Sequence, residues 1–155
     1  MKIVIGEDRD IAIIKGQTTA PVVKIGSSEV TIAGFTVIMT STEVVIQVAS
    51  LSDNILISNN VIKDAGYGIS LLPTTSKVTI TDNTIINHAF IGIQLQTSSY
   101  DVISGNRIEN NGSPGIELSL SSNNNSILNN SIINNTKEAI LVGGISPKLS
   151  VVCFA

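Results

Sequence analysis

The chain has 155 residues, enough for one domain with a substantial core, and its formal net charge of −3 with 14% charged residues leaves no basic footprint for nucleic acid or an anionic membrane. Hydrophobic residues make up 43% but aromatic residues only 3%, with no tryptophan, so a core has to come from isoleucine, valine and leucine, types enriched in strands. Cys153 is the only cysteine, which excludes a disulfide framework and a cysteine-based metal site.

The first residues, MKIVIGEDRD, begin apolar, but Glu7, Asp8, Arg9 and Asp10 interrupt the run before a signal-peptide core can form. No later run reaches membrane-spanning length, so no membrane insertion is expected. The lack of a leader in this chain leaves open a cytosolic protein or a piece of a longer exported one. Residues 1–25, with IAIIKGQTTAPVVKI, read as a partial coil of the repeat described next. Residues 26–50, with EVTIAGFTVIMTSTEVVIQV, read as a looser first full coil, in which Ile32 matches Ile57 and Phe35 stands where later coils carry asparagine.

Residues 51–145 hold four alignable segments: NILISNNVIKDAGYGISLL, KVTITDNTIINHAFIGIQL, YDVISGNRIENNGSPGIEL and NNSILNNSIINNTKEAILV. Equivalent isoleucines are Ile57, Ile80, Ile103 and Ile127, followed by Ile62, Ile85, Ile108 and Ile132. Between them lie Asn60, Asn83, Asn106 and Asn130, whose numbers advance by 23, 23 and 24. Gly68, Gly92, Gly115 and Ala139 come next, each followed by isoleucine, with Leu71, Leu95, Leu118 and Val142 further along. Each unit thus contains three short strand-like pieces separated by turns, too glycine-rich for a helical hairpin. The predicted fold is all-β: a single-stranded parallel β-helix, or β-solenoid, with coils of about 23 residues stacked at the parallel strand spacing of roughly 4.8 Å.

Asparagine tolerates the positive φ of a sharp corner, and its amide can bond the amide of the next coil. Asn60, Asn83, Asn106 and Asn130 are therefore expected as one asparagine ladder, and Asp64, Asn87, Asn110 and Asn134 as a second. Residues 146–155, containing LSVVCFA, read as an apolar tail rather than a polar cap. Uncapped coils leave a fragment of a longer chain or end-to-end self-association open.

The phrases VTIAGFTV and ISGNRIENNGSPGIEL resemble the right-handed parallel β-helix repeat family, which includes NosD-like and pectin-lyase-like carbohydrate-binding and sugar-hydrolase proteins. Right-handedness, and an exported or cell-surface location, are implied by that resemblance alone. Functions within such a fold range from lyases to accessory proteins, so the outward side chains must carry the argument.

One outward strip reads Ser70, Gln94, Glu117 and Leu141, beside Leu72, Gln96, Ser119 and Gly143. Ser70, Gln94, Gln96, Glu117 and Ser119, with Tyr67 and Tyr100 near corners, are the candidates for polysaccharide contact; ordinary solvated surface is the simpler reading of the polar strip, and a cap over local apolar surface that of each tyrosine. Arg107 and Glu109, two apart on one strand, are expected as a surface ion pair. Resemblance to polysaccharide lyases makes Arg107, Glu109 and Glu117 the catalytic candidates, with Ca²⁺ as cofactor under that alternative only. No outward strip stacks acidic residues on successive coils to hold it. Glycoside hydrolysis needs two carboxyl groups across a cleft, and no aspartate pair recurs.

His88, the only histidine, aligns with Ala65, Asn111 and Asn135 and is expected as an exposed turn residue. With Met1 and Met39 as the only methionines, no soft-ligand cluster for copper is expected and no metal site is assigned. Four sequons, at Asn111, Asn124, Asn129 and Asn134, could accept glycans in an exported protein, and chance matches in an Asn/Ser-rich repeat are the better explanation for most of them. Connections of about two to six residues leave no excursion to wall off a cleft. The sequence favours a non-catalytic scaffold or glycan-contacting module of a surface or exported protein, with a carbohydrate-active enzyme (lyase, hydrolase or epimerase), or part of one, as the alternative.

Overall fold

In the computed structural model the described residues are 1–17, 19–144 and, as backbone, 149–152. Three strands form each coil. The first coil is β1 (Lys2–Ile5), β2 (Ile13–Lys15) and β3 (Val23–Ile25), and the second is β4 (Val30–Ala33), β5 (Thr36–Ile38) and β6 (Val44–Val48). The third is β7 (Asp53–Ser58), β8 (Val61–Lys63) and β9 (Tyr67–Leu71), and the fourth is β10 (Ser76–Thr81), β11 (Thr84–Ile86) and β12 (Ile93–Gln96). The fifth is β13 (Val102–Ser104), β14 (Arg107–Glu109) and β15 (Ile116–Ser119), and the sixth is β16 (Asn125–Leu128), β17 (Ser131–Ile133) and β18 (Ile140–Val142). β19 (Leu149–Val152) pairs in parallel with β16 and opens a further coil.

Every strand pairs in parallel with its equivalent in the neighbouring coil, giving three sheets. The chain is a parallel β-solenoid, and no helix occurs among the described residues. The first sheet contains β1, β4, β7, β10, β13, β16 and β19; the second runs from β2 to β17 and the third from β3 to β18. Residues 1–25, expected as a partial coil, place one strand in each sheet. Their spacing is irregular because the connection between β1 and β2 is longer than in later coils, which hides the repeat in sequence.

Register follows side-chain alternation, because slipping a strand by one residue would turn its isoleucines outward. Ile32, Ile57, Ile80, Ile103 and Ile127 align in the first sheet. Val37, Ile62, Ile85, Ile108 and Ile132 align in the second, and Ile46, Ile69, Ile93, Ile116 and Ile140 in the third. Most of these side chains are fully buried, each worth about 1.5–3 kcal/mol relative to exposure.

The corners share one rule. A residue with left-handed backbone comes first, and the next side chain turns inward. At the first corner Asn59, Asp82 and Asn129 have φ of 53°, 56° and 52°, Gly105 has φ of 65°, and each precedes an inward asparagine. The backbone N–H groups of Asn60, Asn83 and Asn106 donate to Oδ1 of Asn83, Asn106 and Asn130 at 2.9, 3.0 and 2.9 Å. Their side-chain amides donate to the same oxygens at 3.0, 3.0 and 2.9 Å.

At the second corner the left-handed residues are Asp64, Asn87, Asn110 and Asn134, with φ of 63°, 61°, 56° and 53°. Here the inward column lies one residue beyond the expected ladder, at Ala65, His88, Asn111 and Asn135. The N–H and Nδ2 of Asn111 donate to Asn135 Oδ1 at 3.1 and 2.8 Å. In the expected set the one side-chain bond between neighbouring coils is from Asn87 Nδ2 to Asp64 Oδ1, at 3.3 Å on the exposed side. A left-handed backbone points the first asparagine of each Asn-Asn pair to solvent and the second into the core. His88 is accordingly buried, 2% exposed, rather than the exposed turn residue expected.

The same rule recurs at the third corner, where Leu51, Thr74, Thr97 and Ser121 precede the buried hydroxyls of Ser52, Thr75, Ser98 and Ser122. Just beyond it, Asn54, Lys77, Tyr100 and Asn124 are left-handed and precede the inward Ile55, Val78, Asp101 and Asn125.

Candidate functional site

The outer strip of the third sheet is real as an alignment: Ser70, Gln94, Glu117 and Leu141 are register partners, and Gln96 pairs with Ser119. Its contact capacity is smaller than the sequence suggested. Ser70 is buried, 2% exposed, between its longer neighbours Gln47 and Gln94. Gln96 Nε2 donates to Gln94 Oε1 at 2.7 Å, and the Ser119 hydroxyl donates to the Leu95 carbonyl at 3.2 Å. Tyr100 sits at the third corner, exposed because its φ of 62° turns it outward.

The catalytic candidates do not converge. Arg107 and Glu109 lie on the second sheet and Glu117 on the third. Arg107 is committed to Glu109: Nε and Nη2 donate to Oε2 at 3.2 and 2.9 Å, and Nη2 lies 2.8 Å from Oε1. A bidentate pair on a largely exposed arginine is a surface feature and needs no substrate to explain it.

Two concave features stand out among the described residues: a mainly apolar one of about 330 Å³ at the first coils, lined by Val4, Ile14, Val23, Ile25, Ile32 and Phe35 among others, and a more open one at the second corner. There a shallow, wide-open groove of about 670 Å³ crosses five successive coils, lined by Thr40, Ser41, Thr42, Asp64, Asn87, Asn110 and Thr136, with Ala65, His88, Ala89 and Gly112 between them. Hydroxyls of Thr40, Ser41, Thr42 and Thr136 and amides of Asn87 and Asn110 are set among a larger share of apolar surface, and Asp64 is the one charged residue among the described lining. The coils pack closely here because two glycines are obligatory. A Cβ on Gly66 would meet the Thr42 carbonyl oxygen at 1.9 Å, and one on Gly112 the Ala89 oxygen at 2.2 Å. Beside the groove in sequence, Phe90 follows Ala89 and Tyr67 lies two residues past Ala65. Their rings contact with centroids 5.1 Å apart, and Phe90 is 39% exposed. Sequence reasoning assigned Asp64, Asn87 and Asn110 to a structural role and passed over Thr40, Ser41, Thr42 and Thr136. The available signal was the run of hydroxyl residues at Thr40–Thr42, which breaks the repeat pattern.

His88 lines this corner but is built into the wall. Its Nε2 lies 3.2 Å from the Ile62 carbonyl oxygen, which can only accept, so Nε2 carries the proton. Nδ1 is buried with no partner among the described residues. Burial lowers its pKa to about 4, against the opposing pull of the Ile62 carbonyl and the Asp64 carboxylate, so the ring is neutral at pH 7. The alanine at position 65, directly below, leaves room for an imidazole where later coils hold asparagine.

A second buried titratable group lies on the inner wall near the third corner. Asp101 accepts from Ser98 Oγ at 2.5 Å and from the Val78 N–H at 2.8 Å, and its own N–H donates to Asn125 Oδ1 at 2.8 Å. Desolvation raises its pKa to about 6, partly offset by the bonds from Ser98 and Val78. Thr75 and Ser98 join their hydroxyls at 2.6 Å behind it, so the group belongs to a closed internal network. Asn111, in one of the sequons, is likewise buried and hydrogen-bonded.

Uniform parallel coils, short corners and an open groove with a single carboxylate, Asp64, in its described lining define a smooth-surfaced β-solenoid. Residues 13–148 match the family model described as "NosD: Periplasmic copper-binding protein (NosD)", and the chain belongs to this family of right-handed β-helix proteins. No curated protein and no solved structure matched the chain.

Proposed function

We propose that the chain is a non-catalytic β-helix module of an exported protein, presenting a neutral polar surface to glycans. The observation that carries this reading is the placement of the catalytic candidates: Arg107 is tied to Glu109 on one sheet, and Glu117 stands on another with Gln94 and Leu141 as its neighbours. Among the described residues, neither paired carboxylates across a cleft nor a free base beside one is assembled. The family's description as periplasmic is consistent with export.

The same description names copper, and the described residues do not fit that ion. No group of three or more His, Cys, Asp or Glu side chains gathers among them. His88 is buried with its protonated nitrogen on a carbonyl, and the buried Met39 sulfur accepts from the Ser41 hydroxyl at 2.8 Å. Cys153 lies outside the described residues.

The test is incubation of the purified chain with neutral and acidic polysaccharides, with and without Ca²⁺, measuring new reducing and unsaturated ends. None is expected. Release of ends that disappears in Arg107→Ala or Glu117→Ala would establish the enzyme reading instead.

A further inference from the structure

We propose that the groove at the second corner binds one extended, neutral oligosaccharide lying along the solenoid axis, with the Tyr67–Phe90 pair supplying an apolar edge. The inference rests on the module reading above and assigns it a surface and a ligand class.

The first argument is shape. The lining advances one coil at a time from Thr40 through Asp64, Asn87 and Asn110 to Thr136, a path of four coil steps or roughly 19 Å. A repeating linear polymer suits such a path, because the rise per coil is close to the span of one pyranose unit in an extended chain. Asp64, Asn87 and Asn110 hold equivalent positions on three successive coils, so their side-chain oxygens recur along the ligand, with the hydroxyls of Thr40 and Thr136 at either end.

The second argument is chemistry. Asn87 and Asn110 are exposed, and their amides offer donors and acceptors together, as the hydroxyls of Thr40, Ser41, Thr42 and Thr136 do. Sugar hydroxyls need this dual character. Among the described residues no lysine or arginine lines the groove, and the one cation beside it, Lys63, has its Nζ 4.0 Å from Asp64 Oδ2, so a uronate chain would find no uncommitted cation there, whereas a neutral chain needs none.

The third argument is the aromatic pair. The whole chain has five aromatic residues, and two of them meet just past this corner: Phe90 follows Ala89 of the groove and Tyr67 lies two residues beyond Ala65, both outside the lining itself. An exposed phenylalanine braced by a tyrosine contributes little to the core but offers a face for the C–H side of a sugar ring. The groove floor of Ala65, Ala89 and Gly112 leaves the channel open beside it.

The experiment is calorimetric titration of the whole chain with cello-, malto- and chito-oligosaccharides of two to seven units, and with oligogalacturonates as the acidic control. Affinity for one neutral series is expected to rise with length up to about five units, one per coil, and then level off. Asn87 and Asn110 have left-handed backbone, so Asn87→Gly/Asn110→Gly removes both amides without adding strain. That double variant and Phe90→Ala should each weaken binding about tenfold or more, equivalent to about 1.4 kcal/mol. Ala89→Gln, which fills the exposed floor without touching the core, should do the same, while Gln94→Ala/Gln96→Ala on the third sheet should bind as the parent does. Groove variants that bind normally while the third-sheet variant loses binding would overturn the groove assignment and leave the module reading standing. A preference for oligogalacturonates would overturn the neutral ligand. Failure of the parent chain to bind any of the series would overturn both readings.

Discussion

Asn106 holds Asn83 by two hydrogen bonds to one oxygen: the backbone N–H and the side-chain Nδ2 of Asn83 both donate to Asn106 Oδ1 at 3.0 Å. The Asn106 amide meanwhile donates to the carbonyls of Ile80 and Ser104 at 2.9 and 3.1 Å. Truncation by Asn106→Ala therefore strands the Asn83 backbone N–H, takes one of three acceptors from Asn83 Nδ2, and removes the side-chain donor to the Ile80 and Ser104 carbonyls and to Asn130 Oδ1, at an expected cost of about 2–4 kcal/mol. Asn110→Ala, at an exposed left-handed position, should cost only about 1 kcal/mol, from backbone strain. Urea denaturation of the two variants compares these directly, and equal losses would contradict the inward-column account.

Gly92 marks where the second-corner column meets the third sheet. A Cβ there would lie 2.6 Å from the Gly115 oxygen, 2.8 Å from Ile108 Cγ2 and 3.1 Å from Asn111 Nδ2. Two of these are backbone or packed core, so Gly92→Ala should destabilise by about 2 kcal/mol or more, against the usual small effect of Gly→Ala. Thermal denaturation monitored by circular dichroism checks it.

His88 and Asp101 oppose each other over one pH window. The folded pKa of His88 is lowered to about 4 from 6.5, so its contribution is present above pH 6.5 and is lost as pH falls toward 4. The folded pKa of Asp101 is raised to about 6 from 3.8, so its contribution is present below pH 4 and is lost as pH rises through 6. Each is worth roughly 3 kcal/mol at most, and the parent chain should show a nearly flat stability between pH 4 and 6.5. His88→Asn, which restores the side chain that Asn111 and Asn135 use, should make stability rise as pH falls. Asp101→Asn should make it fall with acid and should raise stability at pH 7. Denaturant midpoints at pH 4, 5, 6 and 7 separate the three profiles.

Arg107→Ala removes an ion pair whose arginine is 59% exposed. Loss of about 0.5 kcal/mol, shrinking further in 1 M salt, is the expected outcome of the same denaturation assay. A loss of several kcal/mol would give this pair a role that the exposed geometry does not.

The walls of the solenoid were legible in sequence because side-chain alternation is strict. Ile57, Ile80, Ile103 and Ile127 recur at nearly constant spacing and are register partners in the first sheet. Corners were only half legible. A left-handed residue and its inward successor are often both asparagine, as at Asn110-Asn111 and Asn134-Asn135, and composition does not say which one turns in. At the first corner the inward column is asparagine throughout (Asn60, Asn83, Asn106, Asn130), whereas at the second the more uniform column is the left-handed, outward one (Asp64, Asn87, Asn110, Asn134) and the inward one opens on Ala65 and His88, so composition there points one residue short of the inward side chains. Burial of Ser70 had no local signal, since it depends on Gln47 and Gln94 one coil to either side. The groove was hidden for the same reason: Thr40, Asp64, Asn87, Asn110 and Thr136 become neighbours only through stacking.

Affinity electrophoresis of the purified chain through gels containing a neutral polysaccharide, followed by chain-length analysis of the recovered glycan, tests the non-catalytic module most directly. The account predicts retarded migration and glycan of unchanged length. Unretarded migration, or shortened or unsaturated chains that track the protein, would contradict it.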